Sequence, residues 1–318
     1  MGIEIEALRS RPPAMDDAQC VWELMVMCDI GEFGEQDSSL DDLLYDWGRI
    51  DLARDAWLVL TVDETLVGYG AVVPWISDFR YDVYVDPEWM APDLGGCLLA
   101  RCESRAASLN ADVETGTGGP TGRVYIASVN TRDRQTMQAA GFELARHHFQ
   151  MQISLQDDSP DPEWPTGTSV RAPVPGQDDR AIHELVQTAF DGPGREPQPF
   201  DDWKSFLMRK DLFDPEIWFL AIADDEIVGV CLGVEYPNEG WVRQLAVAAD
   251  WRRRGLGTAL LRQAFVVFRQ RGLAKVGLAV DGANSNACRF YEDLGMSAKR
   301  HYEEYRKPVG TPVVQSHA

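Results

Sequence analysis

The sequence predicts an α+β chain of two similar domains in tandem. Three observations carry this. The chain has 318 residues, enough for about two domains. A series of helix and strand patterns in its first half recurs, in the same order, in its second. Between the copies, Gln156 to Gly167 is rich in Asp and Pro and reads as a linker. The domains then span 1–155 and 168–307, the linker 156–167, and a mobile tail 308–318.

Each copy opens on two helices. Ile182, Leu185, Val186 and Ala189 fall on one side of an amphipathic helix from Asp178 to Phe190. A loop with Gly and Pro, Asp191 to Pro199, leads to a helix carrying Trp203, Phe206 and Leu207. The first-copy counterparts are Asp17 to Met27 and Leu40 to Ile50. A hairpin follows in both. Trp218–Ala221 and Ile227–Gly229 flank Asp224-Asp225, as Trp57–Leu60 and Leu66–Gly68 flank Asp63-Glu64. Next comes a strand with Val242, Leu245 and Val247, then a helix with Leu260, Leu261, Ala264, Phe265 and Phe268 at helical spacing, stopped at Gly272. In the first copy Val83–Asp86 matches Leu245–Ala248, and Gly95 with Leu98-Leu99 matches Gly257 with Leu260-Leu261. Each copy closes on a segment of equal span, Asn130 to Gly141-Phe142 or Asn284 to Gly295-Met296.

The loop between that strand and helix, Arg252-Arg253-Arg254-Gly255-Leu256-Gly257, is built for an anion. Two glycines let the backbone approach a ligand, the helix start adds partial positive charge, and three arginines add full charge. A Walker loop would need Lys-Ser or Lys-Thr after the second glycine, where Thr258-Ala259 stands. A dinucleotide fingerprint would need a third glycine at Leu260; Asp281 sits at a fitting distance for a ribose contact, but too little chain follows for that fold.

Arg252, Gly255 and Gly257 match a third pattern: Arg or Gln, two residues, Gly, one residue, Gly or Ala. Leu278-Ala279-Val280, Asn284, Ala287, Phe290-Tyr291 and Gly295-Met296 match its companion, in order and at the right spacing. Together they make the chain resemble the GNAT superfamily of acyl-CoA N-acyltransferases. The resemblance implies tandem GNAT domains, each a mixed, mostly antiparallel, splayed sheet flanked by helices. The layout resembles that of the mycothiol synthases, which also pair two such domains and rely on the C-terminal one; no substrate motif for them is visible.

The resemblance implies acetyl-CoA, or another acyl-CoA, as donor and no metal. The pantetheine arm would pair with Leu245, Ala246 and Val247, whose N–H groups would polarise the thioester carbonyl. Arg253, Arg254, Gly255, Leu256, Gly257 and Thr258 would cradle the pyrophosphate, with Arg252 serving the loop's structure as much as the ligand. Asn284 would bond the cofactor arm or cap the helix that bears Tyr291. Tyr291 matches the family's general acid. Many relatives place a basic Glu or His where this chain has Trp241. Glu239, two residues before, is the first candidate for the base and Glu235 the second; Arg243, two residues after, could bind a carboxylate of the acceptor. Trp241 and Arg243 are therefore candidates for the acceptor site.

The first copy keeps the pattern without the chemistry. Met90 stands for Arg252, Asp93 for Gly255, Asp133 for Ala287 and Met137 for Tyr291, with Pro92 inside the loop. A carboxylate where a diphosphate should lie is repulsive. The first domain is expected to be inactive and to form an internal pseudo-dimer with the second, leaving the chain a monomer.

Bulk properties narrow the partners. The net charge is −21, and residues 1–158 hold 28 acidic and 11 basic side chains with no lysine, so the imbalance lies mainly in the first half. Such a surface disfavours nucleic acid and anionic membranes. No apolar stretch could span a bilayer, and residues 1–17 have no signal-peptide core. The six cysteines show no metal-type spacing and read as reduced thiols of a cytoplasmic protein. The expected reaction is acetyl transfer to the primary amine of a small molecule. The alternatives are protein or peptide lysine acetylation, or a non-catalytic CoA-binding sensor or scaffold.

Overall fold

The computed structural model describes residues 8–89, 93–110, 119–156, 160–192, 197–209 and 212–310. In chain order the first half forms β1 (Arg9–Arg11), α1 (Ala18–Phe33), α2 (Leu40–Trp47), α3 (Leu52–Asp55), β2 (Ala56–Leu60), β3 (Leu66–Trp75), β4 (Asp78–Val85), α4 (Leu94–Asn110), β5 (Thr121–Ala127), α5 (Thr131–Ala139) and β6 (Glu143–Ser154). The second half forms β7 (Ser169–Arg171), α6 (Asp179–Ala189), α7 (Phe200–Leu207), β8 (Trp218–Ala223), β9 (Glu226–Tyr236), β10 (Glu239–Val247), α8 (Leu256–Gln270), β11 (Lys275–Asp281), α9 (Ser285–Asp293) and β12 (Ser297–Pro308). Residues 90–92 of the first copy's loop, 157–159 of the linker, 193–196 of the loop before α7 and 311–318 of the tail lie outside the described residues.

Two compact units result, Met1–His147 with His301–Ala318, and His148–Arg300. The first has strand order β1-β2-β3-β4-β5-β12, and only β4 and β5 run parallel. The second has order β6-β11-β10-β9-β8-β7, and only β10 and β11 run parallel. Each is the mixed, mostly antiparallel sheet that the resemblance implied.

Two pairings follow no sequence pattern. Residues 148–154 of β6 pair with β11 of the second copy, and residues 302–308 of β12 pair with β5 of the first. Each unit takes its last strand from the other half of the sequence. Boundaries at 155 and 168 follow the repeat, whereas the contacts divide the chain inside β6 and β12.

The second hairpin turns on Asp224 and Asp225, both left-handed at φ 49° and 63°, a geometry whose twist suits a tight hairpin. Beneath it, α8 presses on β9. A Cβ on Gly229 would lie 2.9 Å from Leu260 and 3.2 Å from Leu256, so only glycine admits that approach. Gly68 repeats the device in the first unit, with Leu94 at 3.0 Å and Leu98 at 3.3 Å. Trp203, Trp218, Leu220 and Phe268 fill the second unit's core. Among the described residues no helix is long and apolar enough to cross a membrane.

Candidate active site

The sheet of the second unit opens where the sequence places the ligand. β10 pairs with β9 along its length, with a register shift between Val242 and Gln244 that leaves Arg243 as an extra residue. On its other side, β10 pairs with β11 only over Gly240–Val242 and Val276–Leu278. Beyond Val242 the two parallel strands no longer pair, so backbone groups of Leu245, Ala246 and Val247 that point away from β9 lie on an edge that β11 leaves unpaired.

The bulge at Arg243 also shifts the alternation of side chains. Gly240 lies against the Phe268 ring of α8, and Val247 lies near Gly257 at the start of the same helix. Seven residues separate these two positions, an odd number, so the bulge supplies the extra step. The opposite face carries Glu239 and Trp241. The Trp241 ring covers Gly277 of β11, where a Cβ would sit 2.5 Å from it and 3.5 Å from the Glu239 carboxylate. Gln152 of β6, paired with Gly277, donates to Glu239 at 2.9 Å. Arg243 turns toward α7, with its guanidinium 4.7 Å from the Phe206 ring centre and bonded to the Tyr236 hydroxyl. Its neighbour Gln244 accepts from the Trp203 indole at 3.0 Å.

Glu235 points elsewhere. It pairs with Arg271 at 3.0 Å, and Arg271 also holds Asp214 and Glu216, at 2.6 and 3.0 Å. Of the two carboxylates singled out in the sequence, only Glu239 shares the Trp241 face.

After β10 a short helical turn, Ala249–Trp251, leads into the arginine run. Arg252 braces the loop: its Nε donates to the Val247 carbonyl at 3.1 Å and its Nη2 to the Ala189 carbonyl at 3.3 Å. Arg253 is left-handed at φ 60°, and Arg254 stacks over the Trp251 ring at 5.1 Å. Gly255 stands just before α8 at φ 84°, a conformation that glycine adopts freely. The first intrahelical bond runs from Ala259 N–H to the Gly255 carbonyl at 3.0 Å. The N–H groups of Leu256, Gly257 and Thr258 therefore have no partner within the helix. A Cβ on Gly255 would meet nothing within 4 Å, so the approach is open. Free donors, a helix start and exposed arginines suit a diphosphate. The residues present thus fit the pyrophosphate of a CoA.

Asn284 caps α9, its side chain accepting from Ala287 N–H at 3.1 Å. Tyr291, one residue past Phe290, is half-buried with its ring centre 5.2 Å from that of Phe290, and Phe290 in turn contacts Gly257. The helix that bears the tyrosine thereby abuts the pyrophosphate loop. Burial above all, then the Cys231 and Cys288 thiols, pushes the Tyr291 hydroxyl up to about 12. Cys231 is the cross-strand partner of Leu245, so the tyrosine stands near the opened edge of β10.

A profile of the acetyltransferase (GNAT) family matches residues 180–296. A mycothiol acetyltransferase from Thermobispora bispora is 32% identical over 253 residues, covering 76% of this chain and 80% of that protein. The chain belongs to the GNAT acetyltransferase family. A mycothiol acetyltransferase from Streptomyces scabiei is 33% identical over 255 residues, 75% of each protein. The crystal structure of a GCN5-related N-acetyltransferase from Sphaerobacter thermophilus superposes with TM-score 0.83 at 33% identity, over 96% of this chain and 97% of that one. A tandem GNAT protein from the clavulanic acid biosynthesis pathway shares the fold over 96% of this chain and 100% of its own, with TM-score 0.75 at 15% identity. The protein is thus an N-acetyltransferase of the GNAT type, and acetyl-CoA is the family's co-substrate.

Two features of the site had no sequence signal. No residue type marks the bulge at Arg243, and Gln152 belongs to the strand that closes the first copy.

Proposed function

We propose that the second unit moves the acetyl group of acetyl-CoA to the primary amine of a small molecule by direct attack. The observation that carries this is the convergence of three elements: the unpaired edge of β10, the open helix start after Gly255, and Tyr291 on α9. The name of the mycothiol acetyltransferases supports a small-molecule acceptor.

Acetyl-CoA supplies an activated thioester. Leu245, Ala246 and Val247 offer backbone groups to the pantetheine arm and to the carbonyl oxygen. Arg253 to Thr258 hold the pyrophosphate, with Arg252 keeping the loop in shape. Asn284 acts through its cap, which fixes the start of the helix bearing Tyr291. The amine nitrogen bonds to the carbonyl carbon, and the carbon–sulfur bond breaks. Glu239, oriented by Gln152, takes the amine proton directly or through water; Glu235 is the weaker candidate because Arg271 holds it. Tyr291 stays protonated across the neutral range and donates to the departing sulfur. Trp241 and Arg243 line the acceptor side, where the Arg243 guanidinium suits an acceptor carboxylate.

The test is acetylation of an amine panel by the full chain, read by mass and by free thiol. One small amine should gain an acetyl group with equal release of CoA. Glu239→Gln should lower kcat/KM by roughly 10²-fold at neutral pH. Thiol release without an acetylated amine, or modification of lysine peptides alone, would overturn the reading.

A further inference from the structure

We propose that the first unit holds a divalent transition-metal site, of the kind zinc occupies, built from His147, His301 and Glu303. No spacing motif announces it, because 154 residues separate the two histidines. His301 and Glu303 are two apart on β12 and so share one face of that strand. His147, near the start of β6, brings its Nδ1 to 2.8 Å from His301 Nε2. One ligand atom from each of the three lies within 4.8 Å of the others.

The chemistry favours a cation over a simple contact. Two ring nitrogens at this distance share one proton, and both lone pairs point into the gap it fills. A metal ion takes the place of that proton. Tetrahedral zinc with bonds near ~2.0–2.1 Å sets its nitrogens roughly 3.3 Å apart, so the rings must part by about half an ångström. His147 is exposed and free to make that adjustment.

Glu303 is buried and already oriented. The Tyr305 hydroxyl donates to its Oε2 at 3.0 Å, the usual arrangement for a carboxylate ligand fixed by an outer partner. Its Oε1 faces Arg134 at 3.7 Å, beyond hydrogen-bond range, and the partly exposed Arg134 can withdraw. Two imidazoles and a carboxylate select zinc, cobalt, nickel or copper over magnesium or calcium. Three protein ligands leave a fourth position for water.

The experiment uses the full chain, stripped with EDTA and desalted, with zinc titrated against a chromogenic chelator. The wild type should bind one zinc more than His147→Ala, with the variant weaker by at least about 10²-fold at that site. Comparing the two cancels zinc held by the cysteines. Cobalt(II) should give visible bands of a tetrahedral ion in the wild type, absent in His147→Ala and His301→Ala. Zinc should raise the Tm of the wild type but not of the variants. Equal zinc binding by wild type and His147→Ala would overturn the site, as would cobalt spectra that do not change between them. Binding and spectra are read without acetyl transfer, so the outcome is separate from that of the proposed reaction.

Discussion

The two units begin the same helix in opposite ways. α8 follows Gly255, which leaves the space before the helix open. α4 follows Asp93, left-handed at φ 60°, whose carboxylate lies so close over the first turn that a Cβ on Gly96 would be 2.2 Å from its Oδ1. The hydrogen bonding is otherwise matched: Cys97 N–H donates to the Asp93 carbonyl and Ala259 N–H to the Gly255 carbonyl, both at 3.0 Å. One helix leaves its positive end open, and the other faces its own carboxylate. The next helix repeats the contrast. Asn130 caps α5 as Asn284 caps α9, but Met137 is buried in the core where Tyr291 carries a hydroxyl. Glycines that admit a helix onto the sheet, and asparagines that start one, are present in both units. The residues that would touch a ligand are present in one.

The largest test separates the units altogether. A fragment of residues 159–318 would lack residues 148–154, which pair with β11 along its full length on one side, and would carry residues 302–308 without β5. It should be insoluble or unfolded and show no acetyl transfer, since a bare central edge and exposed apolar surface promote aggregation. A soluble, fully active fragment would mean that the second copy can complete its sheet without the first.

Next in size is a transplant of the difference itself. Gly255→Asp copies the first unit's residue into the second. Because Asp93 tolerates φ 60°, the change tests charge more than backbone strain. Acetyl-CoA affinity by calorimetry should fall on the order of 10²-fold or more, and wild type should bind one acetyl-CoA per chain. Asp93→Gly should not create a second site. Two equivalent sites in wild type would erase the contrast between the units.

Tyr291→Phe is a narrower cut. It removes a hydroxyl and keeps the ring beside Phe290. Loss of a proton donor should lower kcat by roughly 10²- to 10⁴-fold with acetyl-CoA affinity nearly unchanged. Turnover equal to wild type would leave the tyrosine with a packing role, the same as that of Met137.

What was legible in the sequence was local. The helix pair, the hairpin across Asp224-Asp225, the glycine loop and the capping Asn284 are each set by residues within a few positions of one another, so spacing and periodicity expose them. The hidden features depend on distant partners. β6 and β12 close similar copies, and nothing in either strand states which sheet it joins. Glu235 is a candidate base by its place in the sequence, and its ion pair with Arg271, 36 residues away, is invisible there. Glu239 gained its partner Gln152 from 87 residues away. The bulge at Arg243 is a property of the ladder rather than of any residue type.

The smallest expected effect concerns a carboxylate peculiar to the first unit. Asp133 stands where the second copy has Ala287, and Asn130 donates both to it, at 2.9 Å, and to Glu32 of α1, at 2.6 Å. Burial above all pushes Glu32 up to about 7, with Asp133 and Asp29 adding to the shift. In the unfolded chain the same carboxyl titrates near ~4.3. Between those values the folded state binds the extra proton, so the Glu32 contribution to stability falls as pH rises through the window and is flat above it. Asp17 and Asp178, held low by Arg11 and Arg171, act with the opposite sign at more acid pH and leave this window alone. Thermal unfolding of wild type and Glu32→Gln at pH 5 and pH 8 isolates the term. Glu32 is only partly buried, so the variant should gain just a few degrees, roughly 2–4 °C, relative to wild type at pH 8 over pH 5. The same pH dependence in both proteins would show that Glu32 ionises without cost, and the acidic cluster would then be no obstacle to a ligand in the first unit.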